Sequence, residues 1–228
     1  MTRVAVSQSN YIPWIGYFEL ISSVSDFVFL DNVQYTNRDW RNRNQIKTPQ
    51  GKLWLSLDVE KGDKHSLIQE VVLVGVDSKA KHLESIRRNY RRSKFFGEIY
   101  PQLEQIYESY QGKSLSNFNQ HLIECLSRKL GIETRFHDAR NFSNNSDASR
   151  RILEICKGLK GSTYVSGPAA QDYLDLEVFK SNNIMVEWFE YSSKNYEQLW
   201  GDFDQSVSVL DPILNHGWNV LRDRMNKQ

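Results

Sequence analysis

RVAVSQSNYIPWIGYFELISSVSDFVFL, residues 3–30, decides the fold. The apolar run within residues 3–7 reads as a short strand. Residues 11–23 follow as a turn and helix: Pro13 suits a first helical turn, and Trp14, Phe18 and Ile21 recur at helical spacing. Residues 26–30 (DFVFL) form a second strand of β-branched and aromatic type, apolar enough to be buried on both faces. Strand, helix and strand within about thirty residues make a βαβ unit, and such a unit predicts a parallel sheet.

The same reading extends outward. Residues 52–59 alternate like a half-exposed strand, and residues 67–76 are strand-like, so the two are expected to pair as an antiparallel extension. Residues 77–92, 95–110 and 115–130 read as helices, the last closed by Gly131 as its C-terminal glycine. Strands are expected at 133–136, 162–165 and 184–189, with helices over 147–159 and after Ser166-Gly167-Pro168. The expectation is therefore one α/β domain over residues 1–228. Its sheet is mostly parallel, Rossmann-like and of nucleotide-binding type, with a helical insertion over about residues 77–130.

With 39% hydrophobic and 25% charged residues, the chain has the balance of a soluble globular protein. A formal net charge of +1 supplies no global field toward nucleic acid or a membrane surface, so an anion site has to be local. No run approaches the ~20 apolar residues of a membrane span. Nor does the N-terminus carry a charged-then-apolar signal pattern, so a cytoplasmic location is expected. Cys125 and Cys156 sit in apolar helical settings as free thiols. No histidine pair has metal-ligand spacing, no metal is expected, and phosphate-loop, G-x-G-x-x-G and G-x-S-x-G patterns are absent.

Ligands of open parallel sheets bind beyond the carboxyl ends of the strands. Three polar segments fall there. Residues 7–16 mix polar and aromatic side chains around Pro13 and Gly16. Residues 31–47 (DNVQYTNRDWRNRNQIK) combine the cations Arg38, Arg41, Arg43 and Lys47 with Asn42, Asn44, Tyr35 and Trp40. Arginine and lysine suit phosphate or carboxylate, and flat rings suit a base or a sugar face. A merely solvating loop would not need that density of asparagine and aromatic residues. Residues 166–172 place Ser166 and Gly167 where a following helix could present backbone N–H groups to an anion. The basic run at 87–94 (RRNYRRSK) reads either as a solvated helix face or as a docking patch for an acidic partner. His216, near Asp211 in sequence, is a weak candidate base.

These residues carry a resemblance. Residues 7–18 resemble the opening His-Gln-Pro-x-Tyr-x-Pro-Trp-x-Gly-Tyr-Phe pattern of the WbqC-like family. Asp31, Gln34, Asn42, Arg43, Asn44, Ile46 and Lys47 are similar to its next motif. Tyr164, Ser166, Gly167, Tyr173 and Leu174 match a later one, and Asp211, Asn215 and Gly217 match the last. The chain departs from the family at Ser7, where the family usually has histidine, and at Ser9, where it has proline. A base at the first of those positions is therefore missing.

The resemblance implies a role in surface-polysaccharide (O-antigen) biosynthesis. Its most concrete form is an N-acyltransferase that moves an aminoacyl group, such as glycyl, from a carrier thioester to the amine of a nucleotide-linked amino sugar. On that reading Asp31 is the base candidate, and Gln8, Tyr11 and Asn44 contact the substrate or its oxyanion. Arg43 and Lys47 hold a diphosphate or phosphopantetheine. Trp14, Gln34, Asn42, Ser166 and Gly167 complete the binding surface. No permanently bound cofactor is expected; the implied partners are the nucleotide-linked amino sugar and an acidic, phosphopantetheine-bearing acyl carrier protein. Two alternatives stand beside it: an ATP-dependent adenylate-forming or nucleotidyl-transferring enzyme, and a non-catalytic binding or assembly protein of a polysaccharide cluster.

Overall fold

The computed structural model describes residues 1–60, 65–75, 77–145, 147–191 and 194–225. Strand β1 (Arg3–Ser7) leads through helix α1 (Ile15–Ser22) to strand β2 (Asp26–Phe29), the expected unit. A hairpin follows, β3 (Arg43–Thr48) and β4 (Gly51–Ser56), then helices α2 (Asp77–Tyr90), α3 (Phe96–Ser109) and α4 (Leu115–Lys129). The chain returns through β5 (Arg135–Asp138), α5 (Ala148–Gly158), β6 (Thr163–Ser166), α6 (Leu176–Lys180) and β7 (Met185–Trp188). It ends with α7 (Leu210–His216) and α8 (Val220–Met225).

Strands β5-β2-β1-β6-β7 form one five-stranded sheet in that order, and every pairing in it is parallel. Successive residues of a strand face opposite sides. Ala5, Phe27, Phe29 and Val165 accordingly enter a core with α1, α3, α4 and α7, while Val4, Val28 and Tyr164 enter a second core with α5 and α6. Phe18, Phe27 and Phe29 are buried to 1% exposure or less, each contributing about 1.5–3 kcal/mol of apolar transfer. The helical insertion α2–α4 stands on the first face. Gly131 ends α4 as expected, at φ +76°, with the Ile132 N–H returning to the Ser127 carbonyl. Among the described residues no helix is long and apolar enough to cross a membrane.

The middle of the chain corrects the sequence reading. The partner of β4 is β3, within the segment read as a polar loop, and not residues 67–76. Those residues make a 3-10 turn at Ile68–Glu70 and isolated bridges such as Val59–Leu73, and Val76 lies outside the described residues. The alternation of β3 is hard to read because its buried side chains include Asn44 and Lys47 beside Ile46. Their polar ends find partners far away in sequence, which no local pattern reveals.

Candidate functional site

The chain leaves β1 for β2 on one side and later returns to β6 on the other. Loops after β1 and β6 therefore part, and crevices at such switch points are where open α/β sheets take ligands. The loop after β1 is held at almost every residue. Tyr17 Oη donates to the Gln8 carbonyl (2.9 Å), and the Ser9 N–H donates to Asp31 Oδ1 (2.8 Å). The Tyr11 N–H donates to the Trp40 carbonyl (2.8 Å). Asn44 Nδ2 donates to the carbonyls of Tyr11 (3.2 Å) and Ile12 (2.9 Å). Ile12 sits at φ +37°, a strained conformation for a β-branched residue, so the Asn44 amide clamps a turn that would otherwise relax.

That turn aims Trp14 outward. Its indole lies directly over Gly16, where a Cβ would come within 2.4 Å of the ring. The Trp-x-Gly spacing thus permits the ring to lie against the helix start. Trp14 forms one wall of a cavity of about 320 Å³, lined by Asn10, Pro13, Trp14, Trp40, Asn44, Tyr191, Gln205 and Ser206. Tyr191 meets Trp14 edge-on with ring centroids 4.3 Å apart. Trp40 packs against Trp54 (5.5 Å), and the Arg43 guanidinium stacks 4.2 Å above the Trp54 ring. Trp14 is 36% and Trp40 44% exposed. Half-exposed rings around a few asparagine and serine groups are the makeup of a small-molecule site.

Other residues singled out in the sequence lie elsewhere. The Asp31 carboxylate is buried and holds three donors: the Ser9 N–H, the Ser116 hydroxyl and the Gln120 amide (2.9 Å). Its lone pairs anchor the loop to α4. Tyr11 is fully buried, with its hydroxyl 2.7 Å from both His82 Nδ1 and Tyr107 Oη. Burial holds its pKa well above the ordinary phenol range, so it stays neutral. Lys47 is buried and donates to Gln198 Oε1 (2.9 Å) and the Asp202 carbonyl. Asn42 Nδ2 donates to the Leu57 carbonyl (3.1 Å). Gln34 is exposed, bridged to Leu67. Ser166 is buried at the end of β6, and Gly167 opens the 3-10 turn Pro168–Asp172 where a helix was expected. Gln8 is half-buried where β1 ends, and its side-chain amide has no hydrogen-bond partner among the described residues. His216 Nε2 bonds the Glu197 carbonyl (2.8 Å), which engages that nitrogen.

Two buried networks escaped the sequence reading. In one, His82 Nε2–H donates to the Ser56 carbonyl (3.1 Å), so Nδ1 accepts from the Tyr11 hydroxyl, which in turn accepts from Tyr107. Burial lowers the His82 pKa to about 4. In the other, Asp211 accepts from Tyr90 (2.8 Å) and Tyr196 (3.0 Å), and burial raises its pKa. Tyr191, Gln205 and Ser206 of the cavity also went unnoticed. They sit in an irregular C-terminal stretch whose sequence has no period to read.

Fold and cavity define the class: an open α/β protein, helices on both faces of a parallel sheet, with a ligand-sized aromatic cavity beyond the strands' carboxyl ends. Within that class, the chain belongs to the WbqC-like protein family, which it matches over residues 8–223. It is 41% identical over 219 residues to the uncharacterized protein Rv1507c of Mycobacterium tuberculosis (strain ATCC 25618 / H37Rv), covering 95% of each chain. No solved structure matches it.

Proposed function

We propose that the protein is a cytoplasmic N-acyltransferase of surface-polysaccharide biosynthesis, transferring an aminoacyl group, such as glycyl, from a carrier thioester to the amine of a nucleotide-linked amino sugar. The observation that carries this reading is the cavity of Trp14, Trp40 and Tyr191 at the carboxyl edge of the sheet. Its rings offer stacking surfaces to a base or sugar face, and Asn10 offers an amide to hydroxyl or carbonyl groups. In the reaction the neutral amine nitrogen attacks the thioester carbonyl, the C–S bond breaks, and the carrier thiolate leaves and takes up the amine proton. Asp31 and Tyr11 are already committed to buried partners, so they position the loop and are not proposed as proton acceptors. Catalysis then rests on holding amine and thioester together, with the unpartnered Gln8 amide as donor to the developing oxyanion. Among the described residues the cavity's lining includes no carboxylate and no histidine, which favours a second reading, a binding or assembly protein that recognises the same nucleotide sugar without turning it over.

A thermal-shift series with nucleotide-linked amino sugars beside ATP and free nucleotides tests both. A ligand at a hundredfold its dissociation constant stabilises by ~2.7 kcal/mol, which such a series detects. Stabilisation by the amino-sugar nucleotide, followed by acyl transfer detected by mass spectrometry, is the expected result. Stabilisation without transfer supports the binding protein. Stabilisation by ATP alone, with pyrophosphate release, would replace both with a nucleotidyl-transferring enzyme.

A further inference from the structure

A second groove, of about 670 Å³, runs between the β3–β4 turn and the end of α2. Four cations line it, Lys52, Arg88, Arg91 and Arg92, and its lining includes no carboxylate. The whole chain carries a formal charge of only +1, so this is a local concentration of positive charge. Arg87 spends its charge on Glu84 through two hydrogen bonds (2.8 and 2.9 Å), whereas Arg91 and Arg92 make no ion pair among the described residues. Arg88 lies in the last turn of α2 and Arg91 and Arg92 in the turn that follows, and all three line the groove. Trp200 gives the groove an apolar side. It stands at φ +67°, followed by Gly201 at φ +70°, and its indole N–H donates to the Asn89 carbonyl (3.0 Å). This strained turn holds the ring against the end of α2.

Lys52 connects the groove to the aromatic cavity. Its ammonium pairs with Asp204 (2.9 Å) and donates to Ser206 Oγ (2.9 Å), and Ser206 lines the cavity on the other side. Groove and cavity therefore share a wall. We infer that the groove formed by Arg88, Arg91, Arg92 and Trp200 docks an acidic, phosphopantetheine-bearing carrier protein. Carboxylates on its surface meet the three arginines, and its thioester arm crosses the Lys52–Ser206 wall into the cavity. The inference rests on the acyl-transfer reading and adds the surface that receives the donor.

The test compares the native chain with the variant Arg88→Glu/Arg91→Glu/Arg92→Glu, whose changes are all at exposed positions. The probe is a purified holo-acyl carrier protein, with binding measured at low and high salt and a single-stranded RNA oligonucleotide as competitor. Binding should weaken about tenfold or more in the variant, as charge juxtaposition costs, and weaken again in high salt, while RNA does not displace the carrier. Equal binding to both chains, no binding to the native chain, or displacement by RNA would overturn the inference. A small aminoacyl-pantetheine thioester separates the two levels. Transfer from it should be equal in both chains, and its failure would sink the transferase reading while carrier binding still decides the docking surface.

Discussion

The loop after β1 and the rim of the cavity draw on the same residue types and use them in opposite ways. Inside, Asp31, Tyr11, Asn44 and Lys47 turn their polar ends onto fixed partners, and each is 6% exposed or less. Outside, Trp14 and Trp40 keep their rings accessible. A polar side chain in a motif can thus be a strut or a tool, and the difference lies in whether its hydrogen-bonding capacity is already filled. Here the ionisable groups became the struts and the aromatic rings the tools.

The most severe way to break this contrast is Asp31→Ala. It removes the acceptor of the buried Ser9 N–H and Ser116 hydroxyl, at ~1–3 kcal/mol each, and of the half-buried Gln120 amide, so urea denaturation should show a loss of about 3 kcal/mol. A stable Asp31→Ala chain that binds ligand but no longer transfers would return Asp31 to the role of base.

Nearly as large is the pH effect of His82. Its folded pKa of about 4 lies below the unfolded value of 6.5, so the unfolded chain binds more protons between those limits. Stability is complete above pH ~6.5 and should fall by up to about 3 kcal/mol as the pH drops to ~4, at ~1.36 kcal/mol per pKa unit. Asp211 acts in the opposite sense, because its raised pKa lets the folded chain take up a proton early. An imidazole signal of His82 that titrates near 6.5 by NMR would show that the network is open to water.

Smaller in stability and larger in binding is Trp14→Ala. A ring already 36% exposed should cost the fold about 1 kcal/mol. The same change should weaken a nucleotide-sugar ligand about tenfold, from the ~1–3 kcal/mol of a lost stacking surface. Isothermal titration with unchanged affinity would remove the cavity from the site. The mildest probe is Gly16→Ala, whose methyl group would meet the Trp14 ring at 2.4 Å. The ring has to swing away, so tryptophan fluorescence should change and affinity should drop a few-fold, with stability held within about 1 kcal/mol.

How far the sequence could be read follows from these same residues. The apolar runs at residues 3–7 and 26–30, with the helical spacing between them, sufficed for a parallel α/β sheet, because both signals come from neighbours in the chain. Trp14 and Asn44, singled out from the company they keep, do line one cavity together. The β3 strand was not, because the partners that let Asn44 and Lys47 be buried come from Tyr11, Ile12, Gln198 and Asp202. His82 gave no signal either, since Tyr11 and Tyr107, its network partners, lie 71 and 25 positions away.

By itself, then, the order of residues determined the α/β class, the βαβ start and the Gly131 helix stop. These rest on hydrophobic period and backbone preference, which act over a few residues. The tertiary structure alone decided which polar groups are struts, that β3 pairs with β4, and that Tyr191, Gln205 and Ser206 join Trp14 around one cavity. Those outcomes depend on hydrogen bonds and ring contacts between distant segments, and such pairings exist only once the sheet has brought the segments together.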